Sequence, residues 1–274
     1  MLRNNLSLPL CQVAVRRPMA QINKNMKYLS SICWILLLAS SSLWGQDGPQ
    51  RVSFPSLDGV EITADMYVVA DSLPVMLLCH QAGYSRGEYI ESAPRFNELG
   101  FNCLAIDLRS GKEVNGVKNK TAWDAREKRR PVNYLDAEMD MVAAINYLVV
   151  KYKQDVILVG SSYSASLALK LAKEHDRVRA AIVFSPGEYF GQALNLTAAI
   201  AGLNKPVFAT SSRGEAESVR NILKGVPHAV QFVPKAAGAH GSKVLWSTHK
   251  GQEEYWEALI PFLQELKQPP TSNK

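Results

Sequence analysis

The chain has 274 residues, of which 47% are hydrophobic and 20% charged, enough apolar material for a full core and too much for wholesale disorder. The formal net charge is +6, yet Arg3, Arg16, Arg17, Lys24 and Lys27, all within an acid-free stretch over 1–46, account for all but one of those charges. The remainder therefore lacks the sustained basic surface that a nucleic-acid partner requires.

The first element is a leader. Ile32-Cys33-Trp34-Ile35-Leu36-Leu37-Leu38-Ala39 is strongly apolar, Lys24 and Lys27 precede it, and Ser40, Ser41, Ser42 and Gly45 follow. Basic, apolar, then small is the order of a secretory signal, and the run falls short of the roughly 20 residues of a membrane span. The expectation is cleavage near Gly45–Gln46, export to the periplasm or the medium, and no stable membrane association afterwards. Leu43 and Trp44 are poor neighbours for a cleavage site, so an uncleaved anchor is the competing reading. Met26-Lys27 would be a more usual start for such a signal, which makes residues 1–25 an extension. The expected division is thus 1–45, extension and signal, and 46–274, one domain.

Two strands with alternating polarity, Arg51–Phe54 and Val60–Val68, flank Asp58-Gly59 and read as a hairpin. Short continuous apolar runs follow at Val75–Cys79, Phe101–Ile106, Val156–Val159, Ala180–Phe184, Val207–Thr210 and Ala229–Val233. Helical periodicity lies between them, near Glu88–Leu99, Tyr134–Val150, Ser164–Glu174, Glu217–Leu223 and Glu253–Leu266. Apolar strands alternating with helices predict a mostly parallel sheet covered on both faces. Cys79 and Cys103 each sit inside such a strand, where two buried thiols are expected rather than a disulfide. Neither a CxxC pair nor a Cys/His metal spacing occurs, so no metal is expected.

Chemistry concentrates at one turn. Val156-Ile-Leu-Val-Gly160 runs directly into Ser161-Ser162-Tyr163-Ser164-Ala165 and then into a helix. A strand, a tight turn of small residues and a helix make a nucleophile elbow, with Ser162 at the apex. Small residues are needed two before and two after the apex, because strand and helix pass closely there. Gly160 meets the first need, and Ser164 stands where glycine is usual. A bland turn capped by Ser161 or Ser162 is the alternative on local sequence alone.

Beyond the elbow, Leu78-Cys-His80-Gln-Ala82-Gly83, the segment from Ala93 through Asp107-Leu-Arg109, and Gly238-Ala-His240-Gly241 together resemble the α/β-hydrolases. The similarity is greatest to the dienelactone hydrolase-like and related small serine esterases, and it covers nearly all of the chain beyond the leader. The resemblance implies an eight-stranded, mostly parallel sheet with a minimal cap and a triad in the order Ser, acid, His. It places the imidazole on His240, in preference to His80, His175, His228 and His249. It places the acid on Glu215, counted from Pro206, with Glu217 as the alternative and Asp107 a loop organiser. Backbone amides of Tyr163 and Ala82, with Gln81 a close alternative to the latter, would form the oxyanion hole. The implied activity is two-step acyl transfer from a small ester or lactone, without cofactor or metal. Peptidase or thioesterase chemistry on the same triad, or a silent binding module, are the rival readings. The cations Lys118, Lys120, Arg126, Lys128, Arg129 and Arg130 read as a solvated face in preference to an anion site.

Overall fold

Alternating apolar runs and helical segments become, in the computed structural model, an eight-stranded sheet with helices on both faces; residues 48–267 are described. The segment expected to be a leader, with the cleavage expected near Gly45–Gln46, lies outside the described residues. The strands are β1 (Gln50–Pro55), β2 (Glu61–Tyr67), β3 (Val75–Cys79), β4 (Asn102–Ile106), β5 (Val156–Ser161), β6 (Val178–Phe184), β7 (Val207–Thr210) and β8 (Ala229–Phe232). They lie in the order β1-β2-β4-β3-β5-β6-β7-β8. The expected hairpin pairs β1 with β2, with Pro55 opposite Glu61. β2 runs antiparallel to β4, and the pairs from β4 through β8 are all parallel.

Side chains alternate across a strand, so each continuous apolar strand feeds two cores. Val75, Leu77 and Cys79 of β3 point to one face, and Met76 and Leu78 point to the other. The first face packs against α3 (Glu138–Tyr152), α4 (Tyr163–Glu174) and α6 (Ala216–Ile222) through Ile145, Leu148, Leu167, Leu171 and Val219. The second packs against α1 (Ser92–Glu98) and α7 (Gln252–Leu266), where Phe96 meets Trp256 edge-on at 5.2 Å. Cys79 and Cys103 are free, buried thiols.

The helix expected over Glu88–Leu99 begins later. Arg86–Tyr89 is a 3-10 turn capped by the Ser85 hydroxyl, and α1 starts at Ser92. Inside the turn the Glu88 carboxylate faces inward, to buried donors. The long segment after β4 folds into a two-stranded ribbon (Glu113–Val114 with Val117–Lys118) and α2 (Lys120–Glu127), which the Asn119 side chain caps. Its cations are exposed, and Lys128 pairs with Asp124 at 2.7 Å. Between β6 and β7 stand only a 3-10 turn and the four-residue α5 (Leu196–Ala199), so the cap is minimal.

Every parallel strand delivers its loop to the same carboxyl edge, where open α/β sheets place their ligands. Two buried ion networks tie the loops there. Arg109 is fully buried between Asp140 and Asp58, and Asp107 accepts from Arg86 at 2.6 Å and from the Lys120 amide. With both carboxylate oxygens so engaged, Asp107 organises loops.

Candidate active site

One residue separates β5 from α4, and that residue is Ser162. Its backbone sits at φ 60° and ψ −124°, a region costing a non-glycine residue on the order of 1–3 kcal/mol. The surroundings hold it there. Its N–H donates to Phe184 O at 2.8 Å, and its carbonyl accepts from the Ala165 amide at 2.9 Å. Gly160 is obligatory, since a Cβ there would lie 2.5 Å from Ala165 Cα. Ser164 needs no glycine because its hydroxyl is satisfied. It accepts the Ser161 N–H at 2.9 Å and donates to Cys79 O at 2.7 Å.

After β7 the chain turns through Ser212, whose hydroxyl donates to Glu215 Oε2 at 2.7 Å in a capping box. The same oxygen accepts from the Ser212 amide at 3.0 Å and the Ser185 hydroxyl at 2.9 Å. Oε1 is left for His240, whose Nδ1 lies 2.5 Å away. Burial alone would raise the Glu215 pKa, but the hydrogen bonds from His240, Ser212 and Ser185 outweigh it and hold the carboxyl at about 2. An ionised acceptor there fixes the proton on Nδ1 and leaves Nε2 as the free basic nitrogen.

His240 reaches this position on a loop that requires its glycines. Gly241 has φ 79°, and a Cβ would meet Gln81 Oε1 at 2.5 Å and Ser161 Oγ at 2.7 Å. Tyr189 presents its ring edge-on to the imidazole at 6.5 Å and donates to Ser185 O at 2.8 Å.

The two amides expected at the oxyanion hole differ from the third. Tyr163 N–H opens α4 without an intrahelical acceptor, at the positive end of the helix dipole. The Ala82 N–H makes no hydrogen bond among the described residues. Gln81, by contrast, spends its N–H on Glu88 Oε2 at 2.7 Å, so its amide is occupied. Glu217 is exposed in the first turn of α6, apart from the Glu215–His240 pair.

His80 is buried and structural. Its Nδ1–H donates to Gln81 O, and Nε2 accepts from the Leu108 amide, both at 2.8 Å. Desolvation lowers its pKa to about 4. Below the ordinary value near 6.5 the unfolded chain takes up a proton that the folded one refuses until about 4, so stability falls as pH drops through that window. The expected loss is on the order of 3 kcal/mol. Denaturant titrations of wild type and His80→Gln at both ends of the window check this: the variant, though weaker at neutral pH, should lose less on acidification.

Ser185, Ser212, Tyr189 and Glu88 escaped the sequence reading. Ser212 had a legible signal, the Ser-x-x-Glu spacing of a capping box. Beside the site, Val132, Asn133, Tyr134, Leu135, Asp136, Tyr189, Phe190 and Ala193 line a cavity of about 540 Å³. Tyr134 joins it to the elbow by stacking on Tyr163 at 4.6 Å. Among the described residues no cluster of His, Cys, Asp or Glu could hold a metal ion. No described helix is long and apolar enough to cross a membrane.

No family model matches the chain, and no curated protein matches it. Solved structures do. An esterase of Pyrococcus furiosus superposes with a TM-score of 0.59 at 16% identity, covering 80% of this chain and 91% of that one. Est1E of Butyrivibrio proteoclasticus gives 0.60 at 16%, covering 80% and 98%. A dienelactone hydrolase of Anabaena variabilis gives 0.59 at 14%, with the same coverage. At such identities the likeness is one of fold.

Proposed function

We propose, from the α/β-hydrolase fold that these likenesses show, that the protein is a serine hydrolase cleaving ester or lactone bonds of small molecules. The observation carrying this is a strained Ser162 at the β5–α4 junction, on the sheet edge that also bears the Glu215–His240 pair. His240 Nε2 takes the Oγ proton as Ser162 attacks the carbonyl carbon. Glu215 keeps the other ring nitrogen protonated and stabilises the imidazolium. The carbonyl oxygen becomes an oxyanion, met by the Ala82 and Tyr163 amides. Collapse expels the alkoxide, which leaves with the proton from His240. Water, deprotonated by the same imidazole, then releases the acid. The aromatic cavity beside Tyr134 and Tyr189 accepts the apolar part of the substrate.

A fluorophosphonate probe tests the reading. Covalent labelling of Ser162 supports an enzyme, and folded protein that resists labelling supports the silent binding module. An ester, thioester and amide panel then ranks the acyl chemistry. We also propose that the chain is exported with its leader removed near Gln46. Amino-terminal sequencing of the exported protein checks this, and an intact Ile32–Leu38 segment in a membrane fraction contradicts it.

A further inference from the structure

Behind the site lies a carboxylate to which the acyl-transfer chemistry assigns no step. Glu88 is fully buried, and among the described residues no Lys, Arg or His nitrogen forms an ion pair with it. Its partners are three donors from three separate segments. Oε2 accepts the Gln81 N–H at 2.7 Å, from the loop that ends β3. Oε1 accepts the Ser161 hydroxyl at 2.7 Å, from the end of β5, and the Ser242 hydroxyl at 2.6 Å, from the loop after β8. The Ser161 oxygen in turn accepts the Ser242 N–H at 2.9 Å, which closes a ring of bonds. Burying a carboxyl group without a cation is expensive, and burial pushes its pKa up, yet a core of this size could have been closed with apolar residues instead.

Each of those donors is a near neighbour, in sequence, of a group the reaction uses. Gln81 precedes Ala82, Ser161 precedes Ser162, and Ser242 is two residues from His240. We propose that Glu88 is a positioning residue that fixes the oxyanion amide, the nucleophile and the imidazole relative to one another. The proposal rests on the serine-hydrolase reading above. The carboxylate contacts none of the reacting atoms. It acts through three bonds that help to set the spacing of three segments, which also touch one another where Gly241 packs against Gln81 and Ser161. Trp246 anchors the same residue from the other side, donating its ring N–H to Glu88 O at 2.8 Å.

A displaced reacting group loses rate in the chemical step with little change in substrate affinity, and a misplacement near 1 Å can cost on the order of a hundredfold. The experiment compares wild type, Glu88→Gln, Ser242→Ala and the double variant. It measures kcat and KM on p-nitrophenyl acetate, the rate of fluorophosphonate labelling, and thermal unfolding. Glu88→Gln keeps the shape but replaces an acceptor oxygen by an NH₂ group, and should lower kcat and labelling rate together by about tenfold to a hundredfold, with KM within about twofold. Ser242→Ala, the milder change should Glu88→Gln fail to fold, should lower kcat by about threefold to tenfold. Added to Glu88→Gln it should cost less than it does alone, since both changes loosen the same network.

Folded variants with wild-type kcat and labelling, whatever their melting temperature, would reduce Glu88 to a structural role and overturn the proposal alone. A wild type that neither labels nor turns over would overturn the serine-hydrolase reading and this proposal with it.

Discussion

Ser162→Ala is expected to lower kcat on an activated ester by about 10⁶-fold and to eliminate fluorophosphonate labelling, with the melting temperature nearly unchanged. The fold survives because alanine keeps the small volume that the elbow demands. The residue at φ 60° is held by its backbone bonds to Phe184 and Ala165, and its own hydroxyl is not needed there. His240→Ala should be as damaging, since without the imidazole the hydroxyl keeps its proton. The double variant should be no worse than either single one, as members of a triad act as a unit. Ser161→Ala is the internal control. Its hydroxyl serves Glu88 and not the substrate, so that variant should still label, though more slowly. A Ser162→Ala protein that labels at the wild-type rate would move the nucleophile elsewhere.

Strands and helices were legible because local patterns determine them. Val75–Cys79 and Val156–Val159 are apolar at every position, and only a strand buried on both faces uses such a run. The elbow was legible because close approach of strand and helix leaves Gly160 no room for a Cβ. What stayed hidden was made by contacts over long sequence separations. Glu88 looked like one more polar position at the start of a helix, and its partners lie 7, 73 and 154 residues away. Ser185 follows β6 at φ 54°, and its hydroxyl bridges the Glu215 carboxylate and the Gly241 amide. Nothing in the neighbourhood of residue 185 announces a partner 56 residues onward. Gln81 illustrates the same limit from the other side. Counting positions left its amide a close alternative to that of Ala82, and the bond to Glu88 separates them.

Glu215→Gln is expected to slow kcat/KM by about 10⁴-fold, while Glu217→Gln leaves it within about twofold. The difference follows from what each carboxylate touches. Glu215 Oε1 accepts the proton on His240 Nδ1, and Oε2 is already committed to Ser212 and Ser185. In the glutamine variant those serine donors claim the carbonyl oxygen, which turns the NH₂ group toward Nδ1. The imidazole then answers by carrying its proton on Nε2, the nitrogen that must be bare to accept the proton of Ser162. Protein shape is kept and the tautomer is wrong. The native carboxyl, held at about 2 by its hydrogen bonds, is ionised through the whole range in which the enzyme can be assayed. Its contribution to stability is complete above the ordinary value near 4.5, declines as pH falls through that window and is gone below about 2. The penalty in the variant should therefore persist from about pH 6 to about pH 9, where the wild-type charge is constant. Glu217 lies exposed at the start of α6, where its charge is worth about 0.3–1 kcal/mol to the helix and nothing to the imidazole. Rates for both variants on one activated ester, with melting temperatures alongside, separate these outcomes. A near-normal Glu215→Gln beside a crippled Glu217→Gln would shift the acid by two residues and require the loop after β7 to rearrange when substrate binds.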